Sequence, residues 1–295
     1  GPTLTAIRTG AVCGLATALL ASNDASTLAM LGAGAMAFDQ IEAVLEARPA
    51  AFSFVFGVPK PFILAECSRR GITTIGAVTT LAEAEAMDSA GVDVILTTGF
   101  EAAGHRPSFL GSAELSLMGT LTLTRLVAAK IKRRPVIAAG GIVDRAGIQA
   151  ALDLGAAGAQ LGTAFLACEE SGTTNEHRDA LFGEGGQHTV LTRTYSGRLA
   201  RGIPNRLIEA LTPHADQLPP FPIETWFTSP LRKMLTAFVD GEKPAYVVSS
   251  HLPRIVDGKP TKNPRYLQNR PDLEDPRSLY VAQLGARLFR RLPLD

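Results

Sequence analysis

TTIGAVTTLAEAEAMDSAGVDVILTTG, residues 73–99, holds one complete turn of the pattern on which the fold depends. Thr73–Val78 is a short apolar run rich in β-branched residues, the mark of a buried strand. Thr79 or Thr80 then caps a helix running to Ala90, with Glu83 in the first turn, where the helix dipole favours an acid. Gly91 ends that helix, and Val92–Thr98 is a second buried strand. A buried run, a helical segment and another buried run make a βαβ unit with parallel strands.

The same unit recurs on both sides. Upstream, Phe52–Val58 reads as a strand and Pro61–Arg70 as a helix, with Pro61 suited to its first turn. Downstream come a long loop, a helix from about Leu121 to Lys132, and a strand Pro135–Ala139 running into Gly140-Gly141. Asp144 starts the next helix, which stops at Gly155. Ala157–Gly162 is the following strand, with a helix entering near Asn175. Five βα units in succession imply a (β/α)8 TIM barrel, whose typical size of about 250 residues fits within the 295 of this chain.

Both ends depart from the regular pattern. Residues 3–51 supply less than three units: an Ala-rich helix around Leu15–Ala21, a strand Leu28–Leu31 closing on Gly32-Ala33-Gly34, and a helix over Phe38–Arg48. The barrel is therefore expected to be contracted or incomplete at its N-terminal units. Residues 3–211 are assigned to the barrel and 212–295 to a C-terminal extension, irregular over Gly241–Arg277. An amphipathic helix, Ser278–Arg291, is expected to pack on the barrel.

Composition narrows the partners. Twenty-nine basic against 28 acidic residues leave a formal charge of +1, which gives no electrostatic reason to expect nucleic acid or a membrane surface. A small-molecule substrate is the default. Cys13, Cys67 and Cys168 are scattered and lack metal-site or disulfide spacing, which fits a reducing compartment and no metal. No apolar run reaches the roughly 18 residues of a spanning helix. The chain is expected to be cytoplasmic.

Two strand ends carry the first chemical signal. PVIAAGG (135–141) and AQLGTAF (159–165) both finish in glycines, which let backbone N–H groups approach an anion, and in a barrel the last loops form the usual phosphate site. Gly140, Gly141, Gly162 and Thr163 would hold that phosphate, borne by FMN or by a sugar phosphate. The alternative for Gly-Gly is a tight turn. The second signal is His105 in EAAGHRPSF (101–109), which follows the preceding strand and so opens on the same face. Its unperturbed pKa of about 6.5 suits proton abstraction from a weak carbon acid. Taken alone it is equally well explained as a surface-loop residue. Glu101 either orients that loop or is exposed. Arg193, Arg198, Arg201 and Arg206, in TRTYSGRLARGIPNRL, either bind an anion or tie their loop to the barrel by ion pairs, the second being the reading preferred. His177, His188, His214 and His251 lack ligand spacing.

Taken together, FDQIEAVLEARPAAFSFVFGVP, AGVDVILTTGFEAAGHRPSF, PVIAAGGIVD, GAAGAQLGTAFL and RTYSGRLARGIPNR resemble the nitronate monooxygenase family, FMN-dependent barrels formerly called 2-nitropropane dioxygenases. The resemblance runs from about Phe38 to Leu211. It implies that His105 is the catalytic base or substrate-orienting residue. It also implies that Gly141, Gly162 and Thr163 bind the FMN phosphate, with Gln160 and Leu161 alongside. Thr98 stands where a glutamine commonly contacts the flavin, and Ala103, before Gly104, stands where the family has a glycine. The implied activity is FMN-dependent monooxygenase chemistry, the oxidative denitrification of a nitronate or nitroalkane with oxygen, by an oxidoreductase that could form a homodimer. Two other readings stay open: a flavin-dependent enoyl-thioester reductase, and a catalytically impaired barrel serving as a binding subunit.

Overall fold

A computed structural model describes residues 27–30, 41, 44–46, 48–168, 171, 173, 175–225, 227–228, 255–256 and 259–260. The helices read at Leu15–Ala21 and Ser278–Arg291 lie outside these, as does the Gly32-Ala33-Gly34 turn. Residues 41 and 44–46, within the helix read over Phe38–Arg48, are helical.

Six parallel strands form one sheet: β1 (Thr27–Met30), β2 (Ala51–Phe54), β3 (Thr73–Val78), β4 (Val94–Thr98), β6 (Val136–Ala139) and β7 (Gly158–Gln160). Neighbours in the sheet follow chain order throughout. Because parallel crossovers are right-handed, an order that never reverses puts every crossover helix on one face. The other face is buried only if the sheet closes on itself, which is the (β/α)8 barrel. The helices are α1 (Pro61–Arg69), α2 (Leu81–Ser89), α3 (Thr120–Lys130) and α4 (Arg145–Asp153), followed by the short α5 (Thr163–Leu166) and α6 (Asn175–Phe182). At the N-terminal side β1 pairs in parallel with β2.

Alternation along the strands divides the core in two. Ala51, Ile75, Ala77, Val94, Leu96, Ile137 and Ala139 cluster on the inner face. Phe52, Phe54, Val78, Ile95 and Val136 pack outward against Ile63, Cys67, Met87 and Leu123 of the helices. The local signals explain the helix starts. Pro61 opens α1, Thr80 Oγ1 accepts the Glu83 N–H at the cap of α2, and Asp144 accepts from Gly147 at the cap of α4.

Several details differ from the sequence reading. The first strand of the five stops at Phe54 rather than Val58, because Phe56 takes φ 69° and Gly57 φ 136°, which turn the chain out of the sheet. The strand read over Ala157–Gly162 ends at Gln160, and α5 forms before the helix anticipated near Asn175. A second, antiparallel sheet was not anticipated. β5 (Gly104–His105) pairs with β9 (Ala200–Gly202), which pairs with β8 (Val190–Thr192). After α7 (Arg206–Leu211) the described chain continues through a 3-10 turn, Thr212–Gln217, and within the stretch read as irregular Ile255–Val256 pairs antiparallel with Lys259–Pro260.

Candidate functional site

The face at the C-terminal ends of the strands collects the candidate residues. Thr98, Ala139 and Gln160 lie in one register row across β4, β6 and β7, at the last inward-facing level. Thr97, one residue earlier, points to the helix layer, where its hydroxyl meets Thr124 of α3 at 2.9 Å. Thr98 and Gln160 therefore face the barrel interior on either side of Ala139. Gly140, Gly141, Gly162 and Thr163 continue from that row. Leu161 is placed otherwise: its side chain is buried among Ala138, Ile142 and Ile148, so only its backbone is available to a ligand.

Gly140 and Gly141 have φ 115° and 67°. A Cβ on Gly140 would stand 2.7 Å from Thr120 Oγ1 and 2.9 Å from the Ala102 nitrogen, and one on Gly99 would stand 1.9 Å from Thr120 Oγ1. Gly140 is thus the seat of the His105 loop as well as a strand end. Glu101, for which two readings were open, satisfies both: the residue is exposed and it also orients its loop. Its carboxylate accepts from Thr120 N at 2.8 Å and Thr120 Oγ1 at 2.9 Å, capping α3 from another loop. A Cβ at Gly162 would meet nothing within 4 Å, so space is open at the end of β7.

The His105 loop is folded around a buried cation. Arg106 is fully buried and donates to the carbonyls of Gly99, Thr98 and Ser116. Burial pushes its guanidinium below the usual range, the Arg201 charge pushes it the same way, and Glu83 and Glu101 oppose. With Arg106 held, β5 pairs to β9 through Gly104–Arg201 and His105–Ala200.

That pairing brings His105 to Ser196. His105 Nε2 and Ser196 Oγ share a hydrogen bond of 2.5 Å, and Ser196 is itself buried. Phe56 and Phe221 stand edge-on to the imidazole, with centroids 6.2 and 5.8 Å away. Arg198 lies over the other aromatic contact, its Cζ 3.8 Å from the Phe56 centroid. Its Nη2 donates to Ser108 O at 2.6 Å and its Nε to Arg106 O at 3.3 Å. An open groove of about 480 Å³ runs beside this cluster, lined by Phe56, Ser108, Phe109, Ser112, Arg193 and Arg198. His105 does not line it and shares Phe56 and Arg198 with it.

The arginines do tie their segment to the barrel, mostly through carbonyls rather than ion pairs. Arg193 alone of Arg193, Arg198 and Arg201 pairs with an acid, Glu114, while Arg201 donates to Phe100 O at 3.0 Å and stacks on that ring at 4.6 Å. Ser196, Phe56 and Phe221 were missed as site residues. Ser196 lies in the SGR stretch, whose reading stopped at its arginines. Phe56 had the look of strand interior, and Phe221 sits in a proline-rich segment with no pattern.

A family model described as "Nitronate monooxygenase" matches residues 14–262. A nitronate monooxygenase of Paraburkholderia phytofirmans is 50% identical over 161 residues, covering 55% of this chain and 44% of that protein. A probable nitronate monooxygenase of Staphylococcus aureus is 37% identical over 221 residues, covering 75% and 62%. The chain thus spans between 44% and 62% of the length of these curated relatives. Among solved structures, a nitroalkane oxidase from Streptomyces ansochromogenes superposes with TM-score 0.66 at 34% identity, over 82% of this chain and 69% of that one. FabK from Thermotoga maritima gives 0.54 at 26% identity, over 75% and 66%. The match takes in the His105 loop, both glycine-ended strands and the Ser196 segment, and the chain belongs to the nitronate monooxygenase family.

Proposed function

We propose that this chain carries out the FMN-dependent oxidation of nitronates or nitroalkanes by oxygen, with His105 as base. The observation that carries the reading is the histidine's setting. It is hydrogen-bonded at Nε2 to a buried hydroxyl and flanked by two aromatic rings, on the face where β6 and β7 end in glycines. Such a setting holds the imidazole in one orientation. The relative named nitroalkane oxidase and the relatives named nitronate monooxygenase favour a nitro-compound substrate.

The residues present fit a flavin phosphate at the ends of β6 and β7. Gly162 leaves open space where a side chain would stand, and Gly141 turns with positive φ. Gly141, Gly162 and Thr163 would hold the phosphate, with Gly140 behind them as the seat of the loop. Thr98, Ala103, Gly104, Gln160 and the Leu161 backbone would border the ring system. FMN, when bound, supplies the electron transfer between substrate and oxygen. The protein's part begins with the α-proton of a nitroalkane, which His105 removes. Ser196 keeps the ring in register through Nε2. Phe56 and Phe221 supply apolar ring faces beside the imidazole. A preformed nitronate needs no such abstraction, so His105 then only orients it.

A visible spectrum is the first test. Protein reconstituted with FMN is expected to be yellow, to bind FMN more tightly than riboflavin, and to consume oxygen with a nitroalkane or propionate 3-nitronate. Colourless protein after reconstitution would sink the reading. Residence in the cytoplasm and a homodimer are further inferences, the second to be checked by sedimentation.

A further inference from the structure

We propose that Glu83 is a positioning residue for His105, its buried carboxylate anchoring the chain limb on which Arg198, and through it Ser196, is aligned. The proposal rests on the reading of His105 as base. Glu83 has no exposed surface, although it lies in the first turn of a helix whose cap is already made by Thr80 Oγ1. Its carboxylate instead reaches out of α2. One oxygen accepts from Thr79 N and Thr79 Oγ1, each at 2.7 Å, and the other from Phe109 N at 2.6 Å and Leu110 N at 3.2 Å. Ser108 Oγ closes the cluster at 2.8 Å from Thr79 Oγ1.

The consequence runs in a short chain of contacts. The limb pinned at Phe109 and Leu110 presents Ser108 O to Arg198 Nη2. Arg198 covers Phe56, and its backbone N–H donates to Ser196 Oγ at 3.4 Å. Ser196 holds His105. Three of the four partners are backbone N–H groups, which can only donate, so an acceptor-only carboxylate satisfies them all, whereas a glutamine in either orientation would turn its NH2 towards at least one N–H. Aspartate keeps both oxygens but retracts them by one methylene.

The test uses the full chain and reads His105 independently of turnover. The Cε1–H resonance of His105, assigned by its loss in His105→Asn, is compared between wild type, Glu83→Gln and Thr97→Val. The last removes a buried hydroxyl pair in the helix layer. Glu83→Gln is expected to move or broaden the resonance and to lower kcat about 10²-fold, as a misplacement of about 1 Å would, with FMN affinity unchanged. Thr97→Val is expected to lose stability while leaving the resonance in place. An unmoved resonance in Glu83→Gln, or an equal shift in Thr97→Val, overturns the proposal. If Glu83→Gln does not fold, Glu83→Asp is read in the same way. Should the wild type oxidise no nitro compound, the function proposed above fails, while the resonance still decides the role of Glu83.

Discussion

Ser196 reaches His105 from 91 positions further along the chain, and the bond between them is the contact most open to a single-atom test. Removing the hydroxyl with Ser196→Ala leaves the imidazole with its flanking rings but without the partner at Nε2. The expected outcome depends on substrate. With a nitroalkane, which must lose its α-proton, kcat falls about 10- to 100-fold through lost orientation. With a preformed nitronate the loss is much smaller. Steady-state kinetics on the matched pair checks this, and equal losses on both would count against a base. His105 itself was legible from its position after a strand and before a glycine-ended pair. Its partner was not, because hydrogen bonding between loops so far apart leaves no periodicity in the chain. The same holds for Glu83: a glutamate in a first turn reads as a dipole partner, and nothing local says that its oxygens serve Phe109 and Leu110.

The helices were the most legible elements, because their starts are written in consecutive residues. Thr80 and Asp144 cap α2 and α4 with side-chain acceptors, and substituting either by Ala should cost about 1 kcal/mol in chemical denaturation. Helix α1 has instead an acid-dependent tie. Hydrogen bonds from Arg69 and Arg70 hold the Glu66 carboxyl down from its ordinary 4.5 to about 2, and Arg70 Nη1 also donates to Leu45 O. A carboxyl whose folded value is depressed stabilises the fold above its unfolded value, and that contribution is lost as pH falls from 4.5 towards about 2. Glu66→Gln should therefore flatten stability across that window, its deficit against wild type being greatest at neutral pH and vanishing as pH falls towards about 2, as urea titrations at several pH values would show. The short elements were the ones that escaped. β5 and β9, of two and three residues, are too brief for alternation to register, and α5, of four, is too brief for a helical period.

Two core layers separate stability from site geometry across the molecule. Ile95 and Leu96 are adjacent on β4, yet Ile95 packs against the helices and Leu96 inside the barrel, two residues beneath Thr98. Replacing either by Ala should cost about 2–5 kcal/mol. Leu96→Ala should also weaken FMN binding, whereas Ile95→Ala should leave it close to wild type, a contrast that fluorescence titration would read directly. The barrel was legible from the regular recurrence of βα units. The crossing of Gly140 under Ala102 was not, since a glycine that admits a phosphate and one that admits a neighbouring loop are written alike. Arg106 gives the arrangement a practical use. The loop bearing His105 is cross-braced by a guanidinium gripping three carbonyls, not by an apolar filling, so its rim side chains are not needed to keep its shape. Leu110, Leu115 and Leu117, exposed on that rim, are accordingly the places where a library could vary the surface beside His105 without dismantling its loop.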